Sequence, residues 1–265
     1  MGSTELGRLA EAQSHSYHAA RPFPYVVVDG LMDEAVLDEL SEEFPAPDHP
    51  GWQRHDDRRQ RKLQGHRSEL HGPTTRCVLH ELMSAEFLGF LEQLTGVEGL
   101  IGDPWLESCG LHQVEPGGFL KVHSDLTFHP HLRLARRVNL ILYLNRDWPP
   151  SYGAPLEFWD AEAKVCVQRI EPIWGRMVIF SCDAPALHGH PEPVACPAGM
   201  TRRSLAVSYN TVPADVSRFG PRPADRWPGR GDRWLVTRNY LAEMLPPSVV
   251  SRISRWHHGR DQDQA

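Results

Sequence analysis

The chain has 265 residues, which suits one large domain, and hydrophobic residues make up 40% of it, enough to form a core. Its formal net charge of -6 gives no electrostatic basis for binding nucleic acid or an anionic membrane. No run approaches membrane-spanning length and the N-terminus shows no signal pattern, so we expect a cytoplasmic protein with no nucleic-acid or membrane partner.

The cysteine pattern indicates a reducing compartment. The five cysteines are odd in number, and no two of them form a CxxC pair. This pattern argues against a disulfide framework and against a thiolate zinc site. The positions are Cys77, Cys109, Cys166, Cys182 and Cys196.

Residues 1–96 are expected to form a largely helical support region. Residues 1–22 are polar and alanine-rich, which predicts a loose or helical lead-in. Residues 25–28 are a β-branched run typical of a buried strand. Over residues 33–44 the apolar positions recur at helical spacing, and Pro45 stops the helix.

The next stretch, residues 46–71, is charged and irregular, and we expect a surface excursion that lies partly over the active site. In the helix that follows, Ser84 is expected to cap the N-terminus and Gly96 to end the C-terminus. Its predicted apolar stripe consists of Phe87, Leu88, Leu91 and Leu94.

Residues 97–211 contain short apolar runs separated by Gly, Pro and Asp, which predicts a sandwich or an antiparallel jelly-roll barrel. Residues 212–265 are predicted to return to helix, at 234–245 and 248–256. This order of elements favours an α+β fold in which helices buttress one sheet. The predicted core strands are residues 111–114, 119–125, 137–145, 156–159, 165–170, 176–180 and 202–209.

One predicted strand carries a candidate metal site. In the sequence GGFLKVHSD, His123 and Asp125 stand two residues apart, so both are expected on the same face of the strand. An imidazole and a carboxylate are two thirds of the facial triad that holds non-heme Fe(II) and leaves three coordination positions open. The strand over 137–145 has a polar face that includes Asn139 and Tyr143, and such a face lines a cavity or water.

Two similar patterns are weaker candidates. The HDD sequence at 55–57 lies in an arginine-rich polar stretch without strand alternation, so we interpret it as solvated surface. The HPE sequence at 190–192 contains a proline, which cannot join a sheet ladder.

Further along, the sequence offers a third ligand and an anion clamp. The HGH sequence provides two histidines, and spacing alone permits either His188 or His190 as the ligand. On the next predicted strand, Arg202 can bind a carboxylate bidentately, and Ser204 on the same face can add a hydroxyl donor. The neighbouring Arg203 would point to the opposite face. These residues predict a pocket for a small dicarboxylate beside a metal.

The motifs over residues 22–211 resemble, in order and spacing, those of the iron(II)- and 2-oxoglutarate-dependent oxygenases, in particular the prolyl 4-hydroxylase-like branch and its bacterial stand-alone members. The resemblance implies a double-stranded β-helix (jelly-roll) core and a single oxygenase domain over residues 1–265, with 97–211 as the core. It also implies Fe(II) and 2-oxoglutarate as cofactors and O2 as co-substrate. The matching sequences are GGFLKVHSD, RRVNLILYLNRDW, IEPIWGRMVIF, HGHPEP and TRRSLAVSY.

Carried over to this sequence, the resemblance makes His123, Asp125 and His188 the iron ligands. It favours His188 over His190 because the first histidine of the HG-x-P pattern aligns with the family's ligand. The residues implied for 2-oxoglutarate are Arg202, with Ser204 and Tyr143, on the distal carboxylate, and Asn139 lining the same pocket.

The implied reaction hydroxylates an unactivated C–H bond of a small-molecule, amino-acid or peptide-like substrate and releases succinate and CO2. Desaturation and cyclisation with the same cofactors stay open, because substrate placement decides the outcome, whereas the presence of Asp125 disfavours halogenation. The alternative from another class is a jelly roll that binds a ligand without catalysis. The assembly is expected to be a monomer or a homodimer. One departure from the family lies near the pocket mouth, where Gly153-Ala154-Pro155 replaces the usual Gly-Gly pair.

Overall fold

The described residues, 2–213 apart from 108, 130, 131, 163, 183 and 184, form four α-helices and twelve β-strands in a computed structural model of the chain. The helices predicted over 234–245 and 248–256 lie outside these residues. Among the described residues, no helix combines the length and the apolar character needed to cross a bilayer. All five cysteines are in the reduced thiol form.

The four helices precede the core strands in the sequence. Two of their ends follow the sequence signals: the Asp33 carboxylate accepts from the Ala35 amide at 2.8 Å, and the Ser84 hydroxyl accepts from the Phe87 amide at 3.2 Å. Gly96, with φ of 70°, ends the fourth helix as predicted. The helices are α1 (Ser3–Ala19), α2 (Glu34–Glu42), α3 (Pro73–Leu82) and α4 (Ala85–Thr95).

The twelve strands belong to one sheet in which every neighbouring pair is antiparallel. Its bounds are β1 (Tyr25–Val28), β2 (Gln53–Asp56), β3 (Gln60–Gly65), β4 (Ile101–Gly102), β5 (Gly110–Val114), β6 (Phe119–His123), β7 (Ala135–Tyr143), β8 (Leu156–Asp160), β9 (Val165–Ile170), β10 (Met177–Ser181), β11 (Leu187–His190) and β12 (Arg202–Thr211).

The strand β3 pairs with β5 and with β6, so it joins the strands from β1 to β5 in the sheet order to the strands from β6 to β9, and the sheet curls around. The order of the strands is β1-β10-β7-β12-β5-β3-β6-β11-β8-β9, with β2 paired to β3 and β4 paired to β12. The strands thus form the expected double-stranded β-helix, and the helices cover its outer face. Outer-face residues such as Leu142 and Leu205 share one buried cluster with Leu37 of α2 and Leu91 of α4. Each such side chain contributes about 1.5–3 kcal/mol through burial.

The prediction for residues 46–71 as an irregular surface excursion is wrong. This segment contains β2 and β3, and β3 pairs with both β5 and β6. The apolar–polar alternation of β3 is hard to recognise in the sequence because its core-facing side carries a charged residue. Arg61 and Leu63 lie on that same side, but Arg61 is exposed whereas Leu63 is only 1% exposed and lies in the core. Residues of both strands line the central cavity of the sheet. The sequence analysis also missed α3, β4 and β11.

Candidate active site

A cavity of about 170 Å³ lies inside the curled sheet. Its lining comes from strands on both sides of β3, so the closure of the sheet creates it. The structure brings together in this cavity all seven residues that the sequence analysis selected as metal or cofactor ligands. They are His123, Asp125, His188, Arg202, Ser204, Tyr143 and Asn139.

Two histidines face each other across neighbouring strands. His123 at the end of β6 and His188 on β11 are directly opposite in the antiparallel ladder, and their ring centroids are 4.6 Å apart. The carboxylate of Asp125 lies beside them, with Oδ1 3.3 Å from His123 Nε2 and Oδ2 3.9 Å from His188 Nε2. One potential ligand atom from each of the three residues fits within a span of 4.8 Å.

The backbone fixes the tautomer of both rings. The Nδ1 atom of His123 lies 2.9 Å from the Lys121 carbonyl oxygen, and Nδ1 of His188 lies 2.9 Å from the Ala186 carbonyl oxygen. Because a carbonyl oxygen can only accept, each Nδ1 carries the proton and donates. Each Nε2 therefore presents a lone pair towards the carboxylate, which is the donor set that a divalent cation such as Fe(II) requires.

The predicted location of Asp125 on the strand is wrong. β6 ends at His123, and Asp125 follows it outside any strand. Pleat alternation therefore does not place this carboxylate. Contacts from β7 position the Asp125 carboxylate instead. The Asn139 amide donates to Oδ2 at 2.5 Å, and Nη1 of Arg136 lies 3.7 Å from the same oxygen.

A chain of hydrogen bonds extends from this carboxylate into the interior. The Ser208 hydroxyl donates to Oδ1 of Asn139 at 2.9 Å, which fixes the orientation of the amide. The Cys109 sulfur lies 2.8 Å from the Ser208 oxygen, and because the Ser208 proton is already donated, the thiol must be the donor. Burial raises the pKa of Cys109 to about 11, so the thiol keeps its proton. The Cys109 thiol and the Ser208 hydroxyl thus both help to fix the Asn139 amide, which in turn donates to Asp125.

Electrostatics favours a neutral imidazole beside an ionised carboxylate. Burial lowers the pKa of His188 to about 4, so its Nε2 lone pair is available at neutral pH. Burial alone would raise the pKa of Asp125, but the imidazoles of His188 and His123 and the guanidinium of Arg136 outweigh that effect. They hold the pKa of this carboxyl well below its usual range. The three groups can therefore offer a cation two nitrogen lone pairs and one negative charge.

A different group of donors gathers around Arg202. Its side chain is buried, Nε donates to the Ala154 carbonyl oxygen at 3.0 Å, and Nη2 donates to the Tyr143 hydroxyl oxygen at 3.3 Å. Ser204 is the cross-strand partner of Tyr143. Among the described residues, no carboxylate lies within ion-pair distance of Arg202. A buried guanidinium of this kind is suited to an anionic ligand.

The structure also locates the competing candidates. Arg203 points away from the cavity, as predicted, and its guanidinium packs 5.2 Å from the ring centre of Phe44. His190 is buried and lines the cavity without joining the cluster formed by His123, Asp125 and His188.

Several cavity residues were missed by the sequence analysis. The supporting residues Arg136, Ser208 and Cys109 had no recognisable spacing, because they reach Asp125 only through tertiary contacts. The polar residues of β2 and β3 could have been found by alternation in the sequence QRKLQG, had the segment been considered as a strand. Those that line the cavity are His55, Gln60, Lys62 and Gln64, with His112 of β5 beside them.

Comparison with known proteins gives a family match for the central part of the chain and a fold. A profile of the 2OG-Fe(II) oxygenase superfamily matches residues 109–210. No curated protein is similar enough in sequence to match the chain. Among solved structures, a prolyl 4-hydroxylase from Pseudomonas putida is similar, with a TM-score of 0.57 and 18% identity over 78% of this chain and 100% of that one.

Two other solved structures have the same fold. A prolyl hydroxylase from Trichoplax adhaerens, in complex with a hypoxia-inducible-factor peptide, has a TM-score of 0.57 and 14% identity over 78% of this chain and 91% of that one. The non-heme alpha-ketoglutarate-dependent carbocyclase SnoK of nogalamycin biosynthesis has a TM-score of 0.52 and 16% identity over 85% of this chain and 91% of that one. Residues 109–210 thus match the 2OG-Fe(II) oxygenase superfamily, whose enzymes use iron(II) and 2-oxoglutarate, and the chain has a fold like that of the prolyl 4-hydroxylases.

Proposed function

We propose that the chain is an Fe(II)/2-oxoglutarate-dependent hydroxylase in which His123, Asp125 and His188 hold the iron. The observation that carries this proposal is the convergence of two Nε2 lone pairs and one ionised carboxylate at one place in the cavity. Two imidazoles and a carboxylate are the ligands of the non-heme Fe(II) facial triad.

The contacts to Asp125 support a monodentate carboxylate. Oδ2 already accepts from Asn139 and faces Arg136, so Oδ1, on the His123 side, is the oxygen left for a metal. One carboxylate oxygen and two imidazoles would hold Fe(II) and leave open positions on it for 2-oxoglutarate and O2. The amide of Asn139, predicted to line the 2-oxoglutarate pocket, thus has a second role as a support for the carboxylate.

In the same proposal, Arg202, Tyr143 and Ser204 bind the distal carboxylate of 2-oxoglutarate. The Tyr143 hydroxyl accepts from Arg202, so its own proton is available to donate. Burial raises the pKa of Tyr143, which keeps that proton in place at neutral pH. The guanidinium and the two hydroxyls can therefore supply donors to one small anion in a buried setting.

The protein and the cofactors have separate tasks. When bound, iron and 2-oxoglutarate would supply the oxidising chemistry together with O2: one oxygen atom of O2 enters succinate as 2-oxoglutarate loses CO2, and the other hydroxylates an unactivated C–H bond. The chain orients the ligands through the backbone contacts of His123 and His188, keeps Asp125 ionised, and excludes water with buried apolar residues such as Phe180 and Leu140.

The substrate in this proposal is a small molecule, an amino acid or a peptide-like compound. The prolyl hydroxylase from Trichoplax adhaerens binds a peptide, and SnoK is a carbocyclase, so the shared fold admits more than one substrate and outcome. Desaturation or cyclisation would need the same iron and 2-oxoglutarate ligands. Mass analysis of the product distinguishes hydroxylation from desaturation and cyclisation, since only hydroxylation adds one oxygen atom.

We also propose that residues 1–265 form one domain, which acts as a monomer or a homodimer.

Anaerobic titration with Fe(II) and 2-oxoglutarate tests the ligand set. The wild-type protein should develop the weak visible charge-transfer band of an iron-bound 2-oxo acid. His188→Ala should lose Fe(II) binding and this band, whereas His190→Ala should retain both. Loss of iron only in His190→Ala would reverse the assignment, and absence of the band in the folded wild-type protein would overturn the proposed function.

A further inference from the structure

The main chain adopts a left-handed conformation at Ala154, in the turn that precedes β8. The φ angle of Ala154 is 53°, a value that is sterically unfavourable for a residue with a Cβ. The preceding Gly153 has a φ of 66°, so two successive residues have positive φ. A non-glycine residue keeps such a conformation only where its surroundings impose it, and these conformations are concentrated at functional sites. The turn is therefore a candidate for a role in the cavity.

Packing and hydrogen bonds hold this turn in place. Ala154 is completely buried and shares a small apolar cluster with Trp148 and Val194. Nε1 of the Trp148 indole donates to the Gly153 carbonyl oxygen at 3.1 Å, which fixes the peptide group between Gly153 and Ala154. The Gly153 amide donates to the Pro150 carbonyl oxygen at 3.0 Å. Trp148 thus contributes both a packing surface and a hydrogen bond to the turn.

The turn presents the Ala154 carbonyl oxygen to the side chain of Arg202. Nε of Arg202 donates to this oxygen at 3.0 Å, and Nη2 donates to the Tyr143 hydroxyl oxygen at 3.3 Å. A guanidinium binds a carboxylate either side-on, through Nε and one Nη atom, or end-on, through its two Nη atoms. The Ala154 carbonyl occupies the single proton of Nε, so an anion is left with the Nη donors.

The same contacts fix the position of the guanidinium. Arg202 is 5% exposed, and its Cζ atom lies 4.9 Å from the centre of the Tyr143 ring. A long side chain that is mobile before binding loses rotamer freedom when the ligand arrives, which weakens binding. Arg202 is instead ordered before any anion binds. Its distance from the iron-ligand cluster of β6 and β11 is then set by the fold, and this distance limits the length of a ligand that reaches both.

We propose that Ala154 is a positioning residue whose backbone carbonyl locks Arg202, so that the distal carboxylate of the 2-oxo acid binds only through the Nη donors. The locked guanidinium selects the chain length of the 2-oxo acid, in favour of 2-oxoglutarate over 2-oxoadipate, which has one more methylene group. This assignment rests on the proposed function and adds a residue to it that touches neither the iron nor the 2-oxo acid.

Anaerobic binding of the two 2-oxo acids tests this role without a substrate. Protein loaded with Fe(II) is titrated with 2-oxoglutarate and with 2-oxoadipate, and the visible charge-transfer band gives a Kd for each. Trp148→Phe removes the indole donor that holds the turn. It should raise the Kd for 2-oxoglutarate by about threefold to tenfold, because Arg202 must then be ordered on binding. It should also reduce the preference over 2-oxoadipate, since a mobile guanidinium adjusts to the longer acid, and leave the affinity for Fe(II) unchanged.

Trp174→Phe is the matched control for that variant. The Trp174 indole donates to the Glu34 carboxylate at 2.8 Å, outside the cavity, so its loss should leave both Kd values unchanged. A second pair of variants alters the turn directly. Valine at position 154 does not tolerate a positive φ and should displace the carbonyl, whereas glycine adopts this conformation readily. Ala154→Gly should therefore bind 2-oxoglutarate more tightly than Ala154→Val, with equal affinity for Fe(II).

Four results would overturn the inference. They are equal binding of the two acids by the wild-type protein, a wild-type Kd and preference in Trp148→Phe, a loss of Fe(II) affinity in Trp148→Phe as large as its loss of 2-oxoglutarate affinity, and equal 2-oxoglutarate binding by Ala154→Val and Ala154→Gly. A folded wild-type protein that forms no charge-transfer band would instead overturn the proposed function.

Discussion

The amide of Asn139 donates to Oδ2 of Asp125 at 2.5 Å, and this contact connects the centre of β7 to a carboxylate that follows the end of β6. Asp125 has no strand ladder of its own to fix it. Its orientation therefore depends on neighbours that carry no metal-ligand signature, and Ser208 and Cys109 hold Asn139 in turn. Loss of such a supporting contact commonly weakens metal binding by about 10–100-fold.

Asn139→Ala should weaken Fe(II) binding by about 10–100-fold, the usual effect of removing a group that orients a metal ligand. Asn139→Asp should weaken it further, because a second carboxylate would face Asp125 in place of a donor. Anaerobic Fe(II) titration measures both effects. Ser208→Ala serves as a graded comparison and should cause a smaller loss, since it leaves the amide itself in place. Unchanged iron affinity in Asn139→Ala would show that the amide does not orient the ligand.

Arg202→Ala should raise the KM for 2-oxoglutarate by about 100-fold or more, because loss of one partner from a buried ion pair costs about 3–5 kcal/mol. The affinity for Fe(II) should change little. Steady-state kinetics with varied 2-oxoglutarate, together with an iron titration, separates the two effects.

The neighbouring Arg203 is the matched control for that experiment. It points to the other face of β12, donates to Thr201 and packs against Phe44. Arg203→Ala should therefore lower the free energy of unfolding without raising the KM for 2-oxoglutarate. The reverse result, with the KM effect in Arg203→Ala alone, would contradict the assignment of Arg202.

The stability of the metal-free protein should fall between pH 7.5 and pH 5.5. Burial lowers the pKa of His71, His112 and His188, the last to about 4, whereas an unfolded histidine titrates near 6.5. Below pH 6.5 the unfolded chain binds protons that the folded protein excludes, so stability is complete above that pH and is lost as the pH falls. A histidine with a folded pKa of about 4 contributes a loss of about 1.4 kcal/mol by pH 5.5.

Urea unfolding at the two pH values measures this dependence. The lowered pKa of Asp125 affects stability only below about pH 4, outside the window. His71→Gln should reduce the pH dependence, and substitution of the exposed His15 of α1 is the control. Equal or greater stability at pH 5.5 would contradict the burial of neutral histidines.

The sequence predicted the candidate ligand residues better than the residues that hold those ligands in position. Strand periodicity identified β7 and β12, and local capping signals located the ends of α4, because both depend on neighbouring residues. The strand β3 was missed because its inward face is polar, so that the alternation in QRKLQG resembles an exposed surface segment. The support of Asp125 by Asn139 depends on a contact between strands, which no local spacing reveals.

Gly189 is required for close packing between strands, which the local sequence does not reveal. In the structure the glycine is needed for close packing, because a Cβ at this position would lie 2.8 Å from the backbone oxygens of Leu120 and Lys121. Both atoms belong to β6, the strand that ends at His123, so the separation of β11 from β6 sets the distance between the two histidines.

Gly189→Ala should therefore weaken Fe(II) binding by about tenfold or more and lower the free energy of unfolding by about 1–3 kcal/mol, as expected when an overpacked contact moves backbone. The iron effect follows because the added methyl group displaces His188 from His123. Anaerobic Fe(II) titration and urea unfolding measure the two quantities. Gly89→Ala is the matched control: a Cβ there meets no atom within 4 Å, and in the middle of α4 it should add about 0.5–1 kcal/mol of stability. If Gly189→Ala bound iron as tightly as Gly89→Ala, the spacing of β6 and β11 would not control the metal site.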